Sequence, residues 1–373
     1  MQTKEKSLFM LAHEEGSNLA IVFNDHVHDS KQNTYCQSHI IWNKSDIEIS
    51  KKFSPKKNNA VLLSQSYLRI GLDSKSFRVS ECGSFLEFAH EITDQGEVSE
   101  VGKLHSANFC RDRMCPMCSW RRSYKIFGQV SQIMELIGDK YKYLFLTLTV
   151  PNCSGDQLSL VLDSMMDGWR KFIRYKDFKV VKGFFRALEI TRNNDPCSKS
   201  FGTYHPHFHV VLAVPLNYGS GRNYISRDKW LNMWQKAMKD PSISQVDIRV
   251  AKDKNASKEA SLELASAVAE IAKYAVKDSD YIYPEDPDLT DNIVVTLSGA
   301  LHHRRLVAYG GILRDAFENL KLDDPEDGDL VHINQKLNPA LAWLIVKYGW
   351  SCGTYKMTDV YIKSPGEEVN DIE

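Results

Sequence analysis

Three features of this 373-residue sequence predict an α+β fold built on an antiparallel sheet. Between residues 142 and 250 the segments run β-α-β-β-α-β, which joins two central strands by a hairpin and flanks them with helical crossovers. Along those strands apolar residues alternate with polar ones, so one face asks for cover and the other for solvent. The composition, 43% hydrophobic and 25% charged, is that of a folded chain, and the length allows two or three domains. No run approaches the roughly 18 apolar residues of a membrane span. Met1 to Leu11 lacks a leader pattern, which points to a cytoplasmic protein without a membrane partner.

Residues 1–78 are polar and weakly periodic, with short β-like runs at Leu19–Phe23 and Ala60–Leu63, and suggest no role. From Ser119 to Asp139 a helix is predicted by Trp120, Tyr124, Phe127, Val130, Met134 and Ile137. Lys142 to Val150 reads as a strand ended by Pro151 and Asn152. Ser154 and Gln157 resemble a capping box for a helix whose stripe is Val161, Met165, Trp169, Phe172 and Ile173. Gly183–Thr191 and Tyr204–Val214 are strands joined by a polar loop. Ser226 caps a helix through Met238, Gln245–Val250 is a strand, and Ser257–Lys277 is a long Ala-rich helix. The β-α-β-β-α-β order is the ferredoxin-like pattern, in which helices cover one face of the sheet and leave the other open. The divisions expected are 1–78, a cysteine-bearing element with a basic helix at 79–139, the α+β core at 140–285, and a C-terminal region with an acidic tail at 286–373.

Alternation assigns the faces. Leu144, Leu146, Leu148 and Val150 point to the helices, as do Phe208, Val210 and Leu212, so His205, His207 and His209 share the open face. A hairpin through the intervening loop brings Glu189 roughly opposite His207. Two imidazoles about 7 Å apart along a strand can hold one divalent ion between them. With Glu189 as a hard oxygen ligand the set suits Mn²⁺ or Mg²⁺, with His205 competing for the third position or reaching a phosphate.

On the predicted long helix Glu270, Tyr274 and Lys277 recur every three or four residues and share a face. A phenol attacks phosphorus only when a cation or metal helps it, and Glu270 one turn away can activate water for a second, hydrolytic step. Alone, the spacing also describes an ordinary amphipathic helix.

Eight cysteines include Cys110, Cys115 and Cys118 within nine residues, which in a reducing compartment reads as a structural zinc site. Cys82 is the preferred fourth ligand and His105 the alternative. Total charge is balanced, at 47 basic against 48 acidic residues, but its distribution is not. Val101–Val130 carries six basic residues against Asp112, and Arg170–Arg186 carries seven against Asp177. Asp315–Asp329 has seven acidic residues against Lys321. Such segregation fits a polyanion-binding face with an acidic, solvated flank, or merely charged helix surfaces.

Several of these segments together resemble the rolling-circle plasmid replication initiators of Gram-positive bacteria, within the HUH endonuclease superfamily. Phe145-Leu146-Thr147-Leu148-Thr149-Val150-Pro151-Asn152 is similar to their first motif, and His205-Pro206-His207-Phe208-His209-Val210-Val211 to their metal-binding motif. Glu270-Ile271-Ala272-Lys273-Tyr274 through Tyr281 is similar to the segment bearing their nucleophile. Cys82, Cys110 to Arg122, Leu188-Glu189-Ile190-Thr191 and Arg304 to Gly311 also resemble members, over roughly Cys82 to Asp329.

The resemblance implies a ferredoxin-like HUH nickase domain beside a small zinc-binding element, with flanking N- and C-terminal regions. It implies that Tyr274 attacks a phosphodiester of the plasmid origin, leaving a 5′-phosphotyrosyl link and a free 3′-OH, and that Glu270 activates water at termination. His207 and His209 are then metal ligands, with Glu189 as third, and Lys277 is a phosphate-side cation. Arg121, Arg122, Arg170 and Arg174 are candidate contacts to DNA phosphates. The partners implied are double- and single-stranded origin DNA, a host helicase and the replication machinery, and a homodimer is compatible. The competing readings are an HUH transposase or mobilisation relaxase, and a non-catalytic zinc-containing DNA-binding regulator.

Overall fold

The computed structural model describes residues 8–10, 21–23, 44–93, 95–219, 223–250, 268, 275–333, 337–338 and 340–365. In chain order the elements are β1 (Leu8–Met10), β2 (Ile21–Phe23), α1 (Lys44–Arg69), α2 (Asp73–Glu81), β3 (Phe85–Ile92) and β4 (Lys103–Ala107). They continue with α3 (Pro116–Ile137), β5 (Tyr141–Thr149), α4 (Gly155–Phe172), β6 (Gly183–Arg192), β7 (Tyr204–Pro215), α5 (Arg227–Met238) and β8 (Val246–Val250). The last are α6 (Pro287–Leu301), β9 (Val307–Gly311), α7 (Ile312–Asn319), β10 (Ala342–Ser351) and β11 (Thr354–Lys363). The chain is therefore α+β, with antiparallel sheets.

Two units are distinguished by their internal packing. One comprises residues 1–55, 83–108 and 335–373, and the other 56–82 and 109–334. Residues 83–108 thus group with the C-terminal strands, and the segments 79–139 and 286–373 are each divided. The first unit holds the antiparallel sheet β11-β10-β3-β4. Phe88 meets Phe53 and Tyr348 edge-on, at 5.7 and 5.9 Å between ring centroids, and the Tyr355 hydroxyl donates to the Gly83 carbonyl at 2.6 Å.

The second unit holds the sheet β8-β5-β7-β6-β9, every neighbouring pair antiparallel. Its first four strands come from the expected β-α-β-β-α-β order. On one face α4 and α5 seal the sheet with aromatics. Trp169 of α4 packs on Phe184 and Phe208, and Phe172 on Trp230 and Trp234 of α5. Edge-on ring pairs of this kind add about 0.5–1.5 kcal/mol each beyond the area they bury.

The other face is not left open, which corrects the expectation of helices on one side only. Ile126, Val130, Ile133, Met134 and Ile137 of α3, with Leu313 and Ala316 of α7, bury Tyr143, Phe185, Ala187, Val211, Ala213 and Val307. These sheet residues lie toward the starts of β5 and β6 and the end of β7, so α3 and α7 cover that half. The predicted stripe of α3 is displaced accordingly: Ile126 and Ile133 are buried, whereas Tyr124 is exposed.

Two further expectations change. Ala60–Leu63 is helical, inside α1, where Ala60, Leu63 and Tyr67 recur at three- and four-residue intervals and are fully buried. Lys56, Lys57, Asn58 and Asn59 mask that period in the sequence. Ser154 does precede α4, but its side chain makes no capping bond, whereas the Ser226 hydroxyl accepts from the Lys229 amide at 3.3 Å as predicted. Beyond β9, the pair Gly310-Gly311 lets the chain turn tightly against β6. A Cβ on Gly310 would enter the Phe184 ring, and Gly311 adopts φ +55° against the Lys182 carbonyl.

Candidate active site and metal centres

The half of that face which α3 and α7 do not cover carries the histidines. Glu189 pairs directly with His207 across β6 and β7, and Ala187 with His209, so the expected register is the observed one. His209 Nε2 lies 2.8 Å and His207 Nε2 3.3 Å from Glu189 Oε2, and the two Nε2 atoms are 3.1 Å apart. Donors bound to one ion at about 2.1 Å and angles of 90–110° would be roughly 3.0–3.4 Å apart, so the three atoms fit a single divalent ion. The His207 Nδ1 lies 3.1 Å from the His205 carbonyl, and His209 Nδ1 3.5 Å from Thr147 Oγ1. A proton on His207 Nδ1, donated to that carbonyl, leaves Nε2 free to ligate. The ring of His205 is tilted by 31° from that of His207, with centroids 5.3 Å apart, and His205 is not in the three-residue group.

Glu189 is buried, and burial opposes its ionisation. Hydrogen bonds from His207 and His209 outweigh that and hold the carboxyl well below the usual range. Its other oxygen lies 3.4 Å from Lys277 Nζ. Beside it the Ile190 amide donates to the Ala275 carbonyl at 2.7 Å, which fastens the chain after Tyr274 to the metal-site strand.

Tyr274 and Glu270, and with them most of the predicted 257–277 helix, lie outside the described residues; Val268 is helical and buried. The helix does not extend through Lys277, whose backbone is extended at φ −76°, ψ 142°. Helical spacing therefore does not relate Lys277 to Tyr274, and it is tertiary contact that brings its ammonium to Glu189. The next turn is anchored by Asp278, which accepts from Lys56 and Asn59 of α1.

The cysteines converge as the sequence suggests. Cys82, Cys110, Cys115 and Cys118 form one group, with Cys118 Sγ 3.5 Å from Cys82 Sγ and 3.7 Å from Cys110 Sγ. Four sulfurs at about 2.3 Å from a tetrahedral zinc would be about 3.8 Å apart, so the spacing fits that ion, and it is far beyond a disulfide. Backbone amides of Cys110, Arg111 and Asp112 donate to Cys82, Cys118 and Cys110 Sγ, respectively. Burial raises the Cys115 and Cys118 thiols, and hydrogen bonds from its neighbours lower Cys110. As four thiolates they would be stable in so dry a pocket only around a cation. His105, the alternative ligand, lies on β4 and is not in the group.

The basic segment before and within α3 has a different role from the one expected. Arg121 and Arg122 are 6% and 1% exposed. Arg121 donates to the carbonyls of Leu330 and Val331, and Arg122 to those of Glu326, Asp112 and Arg111. Lys125 meets Asp323 at 2.7 Å, and Arg305 meets Asp324 at 2.6 Å. Asp323 and Glu326 of the acidic segment thus engage α3, while Asp315, Glu318 and Asp327 are exposed, and Arg121 and Arg122 are turned to backbone carbonyls. Arg170 and Arg174 are exposed, with Arg170 drawn onto Asp167.

Sequence reasoning missed two residues here. Glu326, 3% exposed, accepts from the amides of Leu306 and Val307 and lies 3.5 Å from Arg113. Arg192, at the end of β6, has its guanidinium 5.9 Å from the ring centroids of both Phe201 and Tyr283. Neither is marked by a local pattern, since each partner is distant in sequence or in a loop.

A family model described as replication protein matches residues 101–355. A protein of Bacillus amyloliquefaciens called Protein rep is 42% identical over 303 residues, covering 75% of this chain and 85% of the relative. Another Protein rep, from Streptococcus pneumoniae serotype 2, is 37% identical over 262 residues, covering 68% and 75%. A Replication protein of Staphylococcus aureus is 35% identical over 230 residues, covering 60% and 94%. No solved structure matches.

Proposed function

The chain belongs to the replication-protein family as a plasmid rolling-circle replication initiator, and from that membership we propose that it cuts and rejoins one strand of its plasmid origin through a ferredoxin-like HUH nickase domain. The observation that carries the reading is the convergence of Glu189, His207 and His209 on one ion-sized point, with Lys277 and the Ala275 carbonyl fastened beside it. Ala275 follows Tyr274 in sequence, so the segment bearing the phenol is tethered to the strand bearing the carboxylate.

The three ligands suit Mn²⁺ or Mg²⁺, which when bound would polarise a phosphoryl oxygen and offset the charge gathering on it. The Tyr274 hydroxyl gives up its proton to solvent and its oxygen bonds to phosphorus as the bond to the 3′ oxygen breaks, and that 3′ oxygen takes up a proton from solvent and leaves as a free 3′-OH. Lys277 lowers the cost of negative charge near Glu189, and Glu270 takes a proton from water when the phosphotyrosyl bond is finally hydrolysed. The cysteine group would hold structural zinc through four thiolates. DNA is the partner that the role implies; a homodimer and a host helicase are expectations of the family resemblance.

The test is incubation with single-stranded origin DNA and Mn²⁺. The unmodified protein should form covalent adducts, Tyr274→Phe none, and Glu270→Ala adducts that resolve at least about tenfold more slowly, roughly 1.4 kcal/mol in barrier. Adducts that persist in Tyr274→Phe would remove the nucleophile assignment. No adduct from the unmodified protein would favour the non-catalytic regulator.

A further inference from the structure

The hairpin loop between β6 and β7 is built more tightly than a connection needs to be. Asn193 is its hub: its backbone exchanges hydrogen bonds with Thr203 and Gly202, and its side-chain amide donates to Ser198 and Ser200 at 2.9 and 2.8 Å. Thr203 closes onto the Ser200 carbonyl at 2.6 Å, and Asn152, just beyond β5, donates to Thr203 at 2.9 Å. The residue this scaffold presents is Phe201, half of whose surface (50%) faces solvent. A stiff loop holding a large apolar ring out of the core spends stability on a surface feature.

Beneath that ring lies Arg192, its guanidinium 5.9 Å from the centroids of both Phe201 and Tyr283. Its Nη1 is fixed by Asn194 Oδ1 at 2.6 Å and by the Tyr283 hydroxyl at 3.4 Å. The cluster stands at one end of the metal-site strands. Arg192 pairs with Tyr204 one position beyond the Thr191–His205 pair, three residues or about 10 Å from Glu189.

We propose that Phe201, Arg192 and Tyr283 form a stacking platform for an unpaired nucleobase flanking the scissile phosphate. An aromatic face backed by a planar cation is the combination on which single-stranded bases stack without sequence preference. A preorganised platform loses little entropy on binding, which gives the stiffness of the loop a purpose. The Arg192 guanidinium also favours the neighbouring phosphate. The proposal rests on the nicking reading for its choice of single-stranded DNA, and it can fail separately from it.

The probe is a short oligothymidylate carrying 5-iododeoxyuridine. Irradiation should cross-link it to Phe201 or Tyr283, located by mass spectrometry of the digested protein. Phe201→Ala should bind oligothymidylate about 5- to 100-fold more weakly, and Phe201→Trp should restore binding. Because no charge is removed, the slope of log affinity against log salt should stay that of the unmodified protein. Cross-links confined to other regions, together with unchanged affinity in Phe201→Ala, would overturn the platform and leave the Tyr274 adduct assay untouched. Cross-links at Phe201 in a protein whose Tyr274→Phe variant still forms adducts would sustain the platform while the nucleophile assignment fails.

Discussion

Glu189 is placed to serve both as a structural partner of two histidines and, in the proposed reading, as a metal ligand. Two imidazoles and an ammonium surround it in a buried position, so its ionised form is favoured against the pull of burial. The sign follows from linkage. A carboxyl lowered in the folded protein contributes stability that is whole above the ordinary glutamate value of about 4.3 and is lost as pH falls below it. Glu189→Gln should therefore differ most from the unmodified protein above that pH in thermal unfolding midpoint, and the two curves should converge in acid. The same variant, like His209→Ala, should bind Mn²⁺ at least about tenfold more weakly by calorimetry, a loss of about 1.4 kcal/mol. Binding equal to that of the unmodified protein would remove these residues from the ligand set. The pairing of Glu189 with His207 was legible in sequence because period-two alternation and one hairpin settle a register. The roles of Arg192 and Glu326 were not, because their partners arrive from loops and from other elements.

At the scale of elements, α3 separates composition from function. Its basic residues read as a DNA-binding surface, yet Arg121 and Arg122 turn inward to cap the carbonyls of residues 326, 330 and 331 and of the cysteine loop. Burial pushes the Arg121 guanidinium down to about 10, a level at which it is still charged at neutral pH. Removing a buried fork strands several carbonyls at once, so Arg122→Ala should cost about 2–4 kcal/mol in urea unfolding. Arg122→Lys should recover only part of it, since an ammonium cannot span three acceptors in a plane. Arg174→Ala, by contrast, removes an exposed cation. With the stretch just after α4 in contact with DNA, that change should leave unfolding unaltered and lower the salt slope of DNA binding by about one. An unchanged slope would take Arg174 out of the interface. Within the acidic segment that engages α3, Asp323, Asp324 and Asp329 are all held below the usual carboxylate range, so their contribution weakens as pH falls below about 4.

At the scale of the whole molecule, the cysteine group ties the end of α2 to the start of α3 through one point. Purified protein should carry zinc at about one ion per chain, and a chelator or Cys118→Ser should lower the melting temperature. Metal-free protein that melts as the untreated protein does would overturn the zinc assignment. Among the described residues no helix is long and apolar enough to cross a membrane. What the sequence by itself determined is whatever repeats with a short period: the strands and helices of residues 142–250, the Glu189–His207 register and the crowding of three cysteines. Alternation and 3.6-residue spacing are local consequences of backbone geometry, and they survive without knowledge of neighbours. Only the tertiary structure decided that helices cover both sheet faces, that Lys277 reaches Glu189 from an extended backbone, and that the arginines of α3 are spent on carbonyls. Those outcomes depend on which distant segment fills a given surface, and packing energy between distant segments leaves no period in either of them.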